Sequence, residues 1–123
     1  MTRTDLALHA RHVTIVGGGI GGLTAALALA QRGARVTVLE RAGQFREVGA
    51  GIQISPNALR VLSALGIGDR ITEISAPSRG VELRAGRTGA LVARIDYARH
   101  RPAAPFRVIH RSRLIEALAR AER

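Results

Sequence analysis

The sequence predicts an α/β fold built on a parallel βαβ unit, on three observations. A β-branched run, Val13-Thr14-Ile15-Val16, feeds a turn with Gly17, Gly19 and Gly22 in G-x-G-x-x-G register. An Ala/Leu-rich segment, Leu23 to Arg32, follows with no internal Gly or Pro, and Gly33 stops it. A second β-branched run, Arg35 to Leu39, ends at the acid Glu40. Strand, turn, helix, strand and acid come in the order that a dinucleotide-binding, Rossmann-like unit requires.

Each residue type has its own physical reason. Gly17 lets the chain turn sharply out of the strand, Gly19 leaves room for a pyrophosphate to approach the backbone, and Gly22 lets the helix pack closely on the strand. The first helical turn aims free N–H groups and the positive end of its dipole at the phosphates. Glu40 follows Gly22 by eighteen residues, near the separation of about 20 at which an acid meets the adenosine ribose. In the helix, Leu23, Leu27 and Ala30 are expected on one inward face. A helix this apolar all round is expected to be covered on more than one side.

Beyond Glu40 the elements are shorter. Met1 to Ala10 is a polar lead-in, and Arg41 to Ala50 a polar loop. Gly51 to Ile54 reads as a strand. Ser55-Pro56 supplies an N-cap residue and a first-turn proline for a helix striped by Leu59, Leu62 and Leu65 and ended by Gly66. Gly68 to Ile74 reads as a further turn or two of helix. Gly80 to Leu83 and Leu91 to Ile95, separated by the turn-rich Ala85 to Gly89, form a β-hairpin. Tyr97 to Pro105 is a basic loop and Phe106 to His110 a strand. Arg111-Ser112 then leads into an amphipathic helix, Arg113 to Arg120, with Leu114, Ile115 and Leu118 inward.

Composition narrows the function. At 123 residues the chain is one domain at most. It has no Cys, hence no disulfide framework or thiolate chemistry, and its Asp, Glu and His lack metal-ligand spacing. A reducing cytoplasm is the expected setting. The net charge is +10, with all nineteen basic residues arginine. They are spread from Arg3 to Arg123, and few aromatics are present to stack on bases, so nucleic acid is not the expected partner. Residues 13–30 carry no charge, but five glycines in the first half would weaken a membrane-spanning or leader helix. No membrane is therefore expected either.

Three blocks carry a family resemblance: VTIVGGGIGGLTAALALAQRGARVTVLER (Val13 to Arg41), FREVGAGIQISPNALRVLSALGI (Phe45 to Ile67) and VIHRSRLIEAL (Val108 to Leu118). The chain resembles the N-terminal part of the FAD-dependent aromatic-ring monooxygenases akin to salicylate hydroxylase and 3-hydroxybenzoate 6-hydroxylase. The resemblance implies that Gly17, Gly19, Gly21 and Gly22 line the FAD pyrophosphate. It implies that Glu40 holds the adenosine ribose, that Arg41 lies over the adenine end, that Gln53 sits beside the flavin half and that Arg111 reaches back to the FAD. Gln53 cannot act as a base where some relatives carry His. Arg46 is expected to be a solvated loop charge as readily as a ligand. The reaction implied is reduction of FAD by NAD(P)H, then hydroxylation of a small aromatic substrate by O2. Relative to the family the fold is incomplete: residues 1–123 correspond to part of an FAD-binding domain, with added β-hairpin and helices and no substrate domain. The isolated chain is therefore expected to be inactive as a hydroxylase. A stand-alone nucleotide-binding module and an inactive truncated product are the alternatives.

Overall fold

The computed structural model describes residues 8–43, 50–100, 102–103 and 105–121. In chain order the elements are β1 (His12–Val16), α1 (Ile20–Ala30), β2 (Arg35–Leu39), β3 (Gly51–Ile54), α2 (Pro56–Ala64), α3 (Gly68–Glu73), β4 (Ala76–Ser78), β5 (Gly80–Arg84), β6 (Leu91–Asp96), α4 (Tyr97–His100), β7 (Phe106–His110) and α5 (Arg111–Ala121). Arg46 and most of the lead-in lie outside the described residues.

β1 and β2 pair in parallel, His12 opposite Arg35 through Val16 opposite Leu39. The crossover between them is α1, which contacts both strands and, on its other side, α5. The helix is thus covered on two sides, as its composition requires. It begins at Ile20 rather than Leu23, because Gly21 and Gly22 are already helical. Its buried residues are Leu23, Ala26 and Leu27. Ala30 is exposed, contrary to expectation. It lies in the last turn, where Gly33 and Ala34 bond back to Ala30 and Leu29 carbonyls and swing the chain out of the helix.

The second sheet has order β3-β7-β4, both outer strands antiparallel to the central β7. β4 is not legible as a strand in the sequence, since Pro77 sits at its centre. Proline is accepted there because β4 is an edge. β5 and β6 form the expected hairpin, with a register irregularity at Leu83/Arg84. α4 occupies the start of the segment read as a loop. α5 begins at Arg111 itself, directly after β7, with no lead-in.

The core gathers around α5. Leu114, Ile115 and Leu118 cluster with Leu23 and Leu27 of α1, Leu62 of α2 and Leu65 just past its end, Ile71 of α3, and Ile54 and Ile109 of the second sheet. Arg107 of β7 staples the end of α3 to this core. Its guanidinium donates to Ser75 Oγ (2.6 Å) and to the carbonyls of Thr72 and Ser75 (both 2.9 Å). A cation is well placed against the negative end of a helix.

The approach of α1 to β1 is set by Gly22. A Cβ there would collide with the Gly17 carbonyl oxygen and stand 3.4 Å from Ile15 Cγ2. A Cβ on Gly21 would meet nothing within 4 Å. Alanine gains up to about 1 kcal/mol of helix propensity over glycine, whereas overpacking costs about 1–3 kcal/mol. Gly22→Ala should therefore lower the denaturation free energy by about 1–2 kcal/mol. Gly21→Ala should leave it unchanged or raise it by up to about 1 kcal/mol. Urea unfolding of the two variants checks this, and equal effects would refute the distinction.

Candidate functional site

The loop from β1 to α1 turns at Gly17, whose φ of +107° favours glycine. Gly17 N–H donates to Leu39 O at 2.8 Å, extending the β1–β2 ladder one step past the strand ends. Gly18 N–H then donates to Glu40 Oε2 at 2.6 Å, and Ala42 N–H to Glu40 Oε1 at 2.8 Å. The acid at the end of β2 is thereby tied to the glycine turn at the end of β1.

The helix start beside this acid is bare. Leu23 N–H makes the first i→i−4 bond, to Gly19 O at 3.0 Å. Ahead of it, the N–H groups of Ile20, Gly21 and Gly22 meet no acceptor among the described residues. Gly19, extended at the N-cap, provides no side-chain cap, and the first turn carries no acid. A Cβ on Gly19 or Gly21 would meet nothing within 4 Å. Free donors, a positive dipole end and open space make a cradle suited to an anion. The chemistry fits the diphosphate of a dinucleotide, with the Glu40 carboxylate at its side. A carboxylate offers about four lone-pair positions. The two backbone bonds leave others for ribose hydroxyls.

Six of the sequence-derived residues, Gly17, Gly19, Gly21, Gly22, Glu40 and Arg41, thus gather at the carboxyl ends of β1 and β2. Arg41 is exposed beside Glu40. The other two lie on the second sheet and α5. Gln53 of β3 bonds to Tyr97 and Ser78. Arg111, half-buried at the first position of α5, donates its backbone N–H to Ala50 O at 3.3 Å. A concavity of about 550 Å³ opens beside this second group, lined by Gly51, Ser75, Val108, His110 and Arg113 among others. None of its lining residues belongs to the glycine turn.

Gly18 and Tyr97 are the site neighbours that sequence reasoning missed. Gly18 acts through its backbone N–H, which leaves no trace in residue type. Tyr97 reaches Gln53 across 44 positions, with no motif to link them.

The Glu40 carboxyl is held below the usual glutamate range. The Ala42 N–H is the chief cause, followed by the Gly18 N–H, with the Arg41 N–H and charge adding to them, while limited desolvation opposes. Hydrogen bonds to the ionised form lower a pKa. A group depressed on folding stabilises the fold above its unfolded pKa, and the contribution is lost as pH falls through the folded value. The Gly18 and Ala42 amide resonances should therefore titrate together, with a midpoint below the ordinary glutamate value of about 4.3. Glu40→Gln should abolish that titration. A midpoint at or above the ordinary value would contradict the assignment.

A family model described as an FAD binding domain matches residues 10–123. The chain is 45% identical over 102 residues to 3-hydroxybenzoate 6-hydroxylase of Polaromonas naphthalenivorans (strain CJ2), which covers 80% of this chain and 26% of that protein. It is 36% identical over 118 residues to 3-amino-4-hydroxybenzoate 2-monooxygenase PtnB3 of Streptomyces platensis, 94% of this chain and 30% of that one. Among solved structures it superposes on a tetrameric form of 2-methyl-3-hydroxypyridine-5-carboxylic acid oxygenase with a TM-score of 0.79 and 34% identity, over 91% of this chain and 29% of that one. Klebsiella pneumoniae HpxO complexed with FAD and uric acid gives a TM-score of 0.75 and 28% identity, over 92% and 29%. The chain therefore spans about 26–30% of the length of these relatives.

Proposed function

We propose, from the premise that the chain belongs to the FAD binding domain family, that it supplies the dinucleotide-gripping part of a flavoprotein that hydroxylates a small aromatic substrate with NAD(P)H and O2. The bond from Gly18 N–H to the Glu40 carboxylate carries this reading, because it fixes an acid beside an open, donor-rich helix start. FAD, when bound, supplies the redox chemistry and the activation of oxygen; the protein supplies binding and orientation.

The roles of this chain's residues follow from their donors and acceptors. The N–H groups of Ile20, Gly21 and Gly22 would hold the diphosphate, and the bare flanks of Gly19 and Gly21 would admit it. Glu40 would accept from the ribose hydroxyls. Arg41 would lie over the adenine end and raise the positive potential met by an approaching dinucleotide. Gln53 would lie beside the flavin half. Arg111 would offer paired N–H donors to the FAD, an arrangement suited to phosphate oxygens. No acid–base pair in this chain needs to take part in the oxygen chemistry.

The aromatic acids in the names of the hydroxybenzoate relatives support a ring-bearing acid as the substrate class. The lack of Cys fits a reducing cytoplasm. No described helix is long and apolar enough to cross a membrane.

The test is a titration of the purified protein with FAD, followed by flavin absorbance. Gly19→Val fills the cradle from a position with open space around it, so it should leave folding intact. It should weaken FAD binding by at least about tenfold, equivalent to about 1.4 kcal/mol. Unchanged affinity in a folded Gly19→Val protein would overturn the proposed diphosphate site.

A further inference from the structure

Gln53 projects from β3 onto the exposed face of the second sheet, where it is opposite Val108 of β7. Its amide does not hang free. Nε2 donates to the Tyr97 hydroxyl at 3.2 Å and lies 3.4 Å from Ser78 Oγ on β4. Ser78 is in turn opposite Phe106. The amide therefore leans from one edge strand across the central strand toward the other edge. Tyr97, at the start of α4, stacks its ring on Phe106, with centroids 3.9 Å apart and planes 14° from parallel.

These contacts differ in what they restrict. An exposed glutamine has three rotatable side-chain bonds, and ordering it in one rotamer opposes binding by its lost entropy. Tyrosine has two χ angles, and the stack on Phe106 fixes the ring plane. The hydroxyl is consequently a fixed point from which the longer, softer side chain can be held. The same contact joins β3, which carries Gln53, to the end of the β5–β6 hairpin, because Tyr97 N–H bonds to Arg79 O at 3.1 Å.

We propose that Tyr97 is a positioning residue: stacked on Phe106, its hydroxyl holds the Gln53 carboxamide in one orientation for the flavin half of FAD. The inference rests on the reading of Gln53 as a neighbour of that cofactor. Tyr97 itself need touch neither cofactor nor substrate.

Tyr97→Phe keeps the stacked ring and removes only the hydroxyl. Gln53→Ala removes the amide. Each should weaken FAD binding by about fivefold, the range of one hydrogen bond. The double variant should be no weaker than Gln53→Ala alone, since residues acting through one contact are non-additive. Phe106→Leu, which loosens the stack and keeps the hydroxyl, should fall between the unsubstituted protein and Tyr97→Phe. A second readout needs no cofactor. Tyr97 is the single tyrosine of the 123 residues, and there is no tryptophan. The fluorescence of the 123-residue chain therefore reports on this phenol alone, and Gln53→Ala should change its intensity. Full affinity in Tyr97→Phe beside weakened Gln53→Ala, additive losses in the double variant, or unchanged fluorescence in Gln53→Ala would each overturn the inference. An unsubstituted protein that leaves the flavin spectrum unperturbed is a different result. It would sink the cofactor reading and the positioning role with it, while the fluorescence would still show whether the bond exists.

Discussion

The hydrogen bond between Gly18 N–H and the Glu40 carboxylate joins the two strand ends on which the site is built. It continues the ladder begun by Val16 opposite Leu39 and by Gly17 N–H to Leu39 O. Backbone pairing brings the strand ends together, and the side chain then locks the turn that follows. The turn cannot take another shape without breaking a charge-assisted bond, the stronger class of hydrogen bond. The same carboxylate thus shapes the cradle and stands ready at its edge.

The β1–β2 pair relies heavily on α1. Parallel strands are ordinarily buried on both faces. Here α1 covers one face, while Val16 on the other is 85% exposed and Leu39 53%. Burial of the pair therefore comes mostly from one helix, and the distance of that helix from β1 is set at Gly22. Gly19 and Gly21 answer to a different constraint, since nothing in the fold crowds them. One motif thus contains both a packing requirement, at Gly22, and open room, at the adjacent Gly21 and at Gly19.

The βαβ unit was legible because its signals are local. Two β-branched runs, a glycine turn and an uninterrupted Ala/Leu segment each announce themselves within a dozen residues. Ser55-Pro56 and Gly66 bounded α2 for the same reason, although the Ser55 hydroxyl makes no cap bond. Features set by long-range pairing were not legible. β4 exists because β7 offers it a partner, and its Pro77 argues locally against a strand. α4 has four residues and no apolar stripe to reveal it. The positions of Glu40 and the glycines could be read from spacing, whereas the links from Gln53 to Tyr97 and from Arg107 to the end of α3 depend on the tertiary fold. The charge excess was also only partly interpretable. Arg70, Arg84, Arg94 and Arg120 pair with carboxylates, and Arg32 and Arg107 bind carbonyls at helix ends. Such arginines have partners within the fold and are poor evidence for a nucleic-acid surface.

The two groups of candidate site residues are joined through the core. α1 begins at the glycine cradle, and α5 begins at Arg111; the two helices contact each other, and Leu23, Leu27, Leu114 and Leu118 belong to one core cluster. Leu23 and Leu118 are fully buried. A close-packed interior transmits displacement rather than absorbing it. A cavity opened at Leu118 would loosen the crossing of the two helices and alter the spacing of the cradle and Arg111 together. A dinucleotide that bridged both groups, as proposed, would have one length and would tolerate little error in that spacing. On the proposed reading, the leucines between α1 and α5 would bear on binding as well as on stability, although none of them is proposed to touch the cofactor.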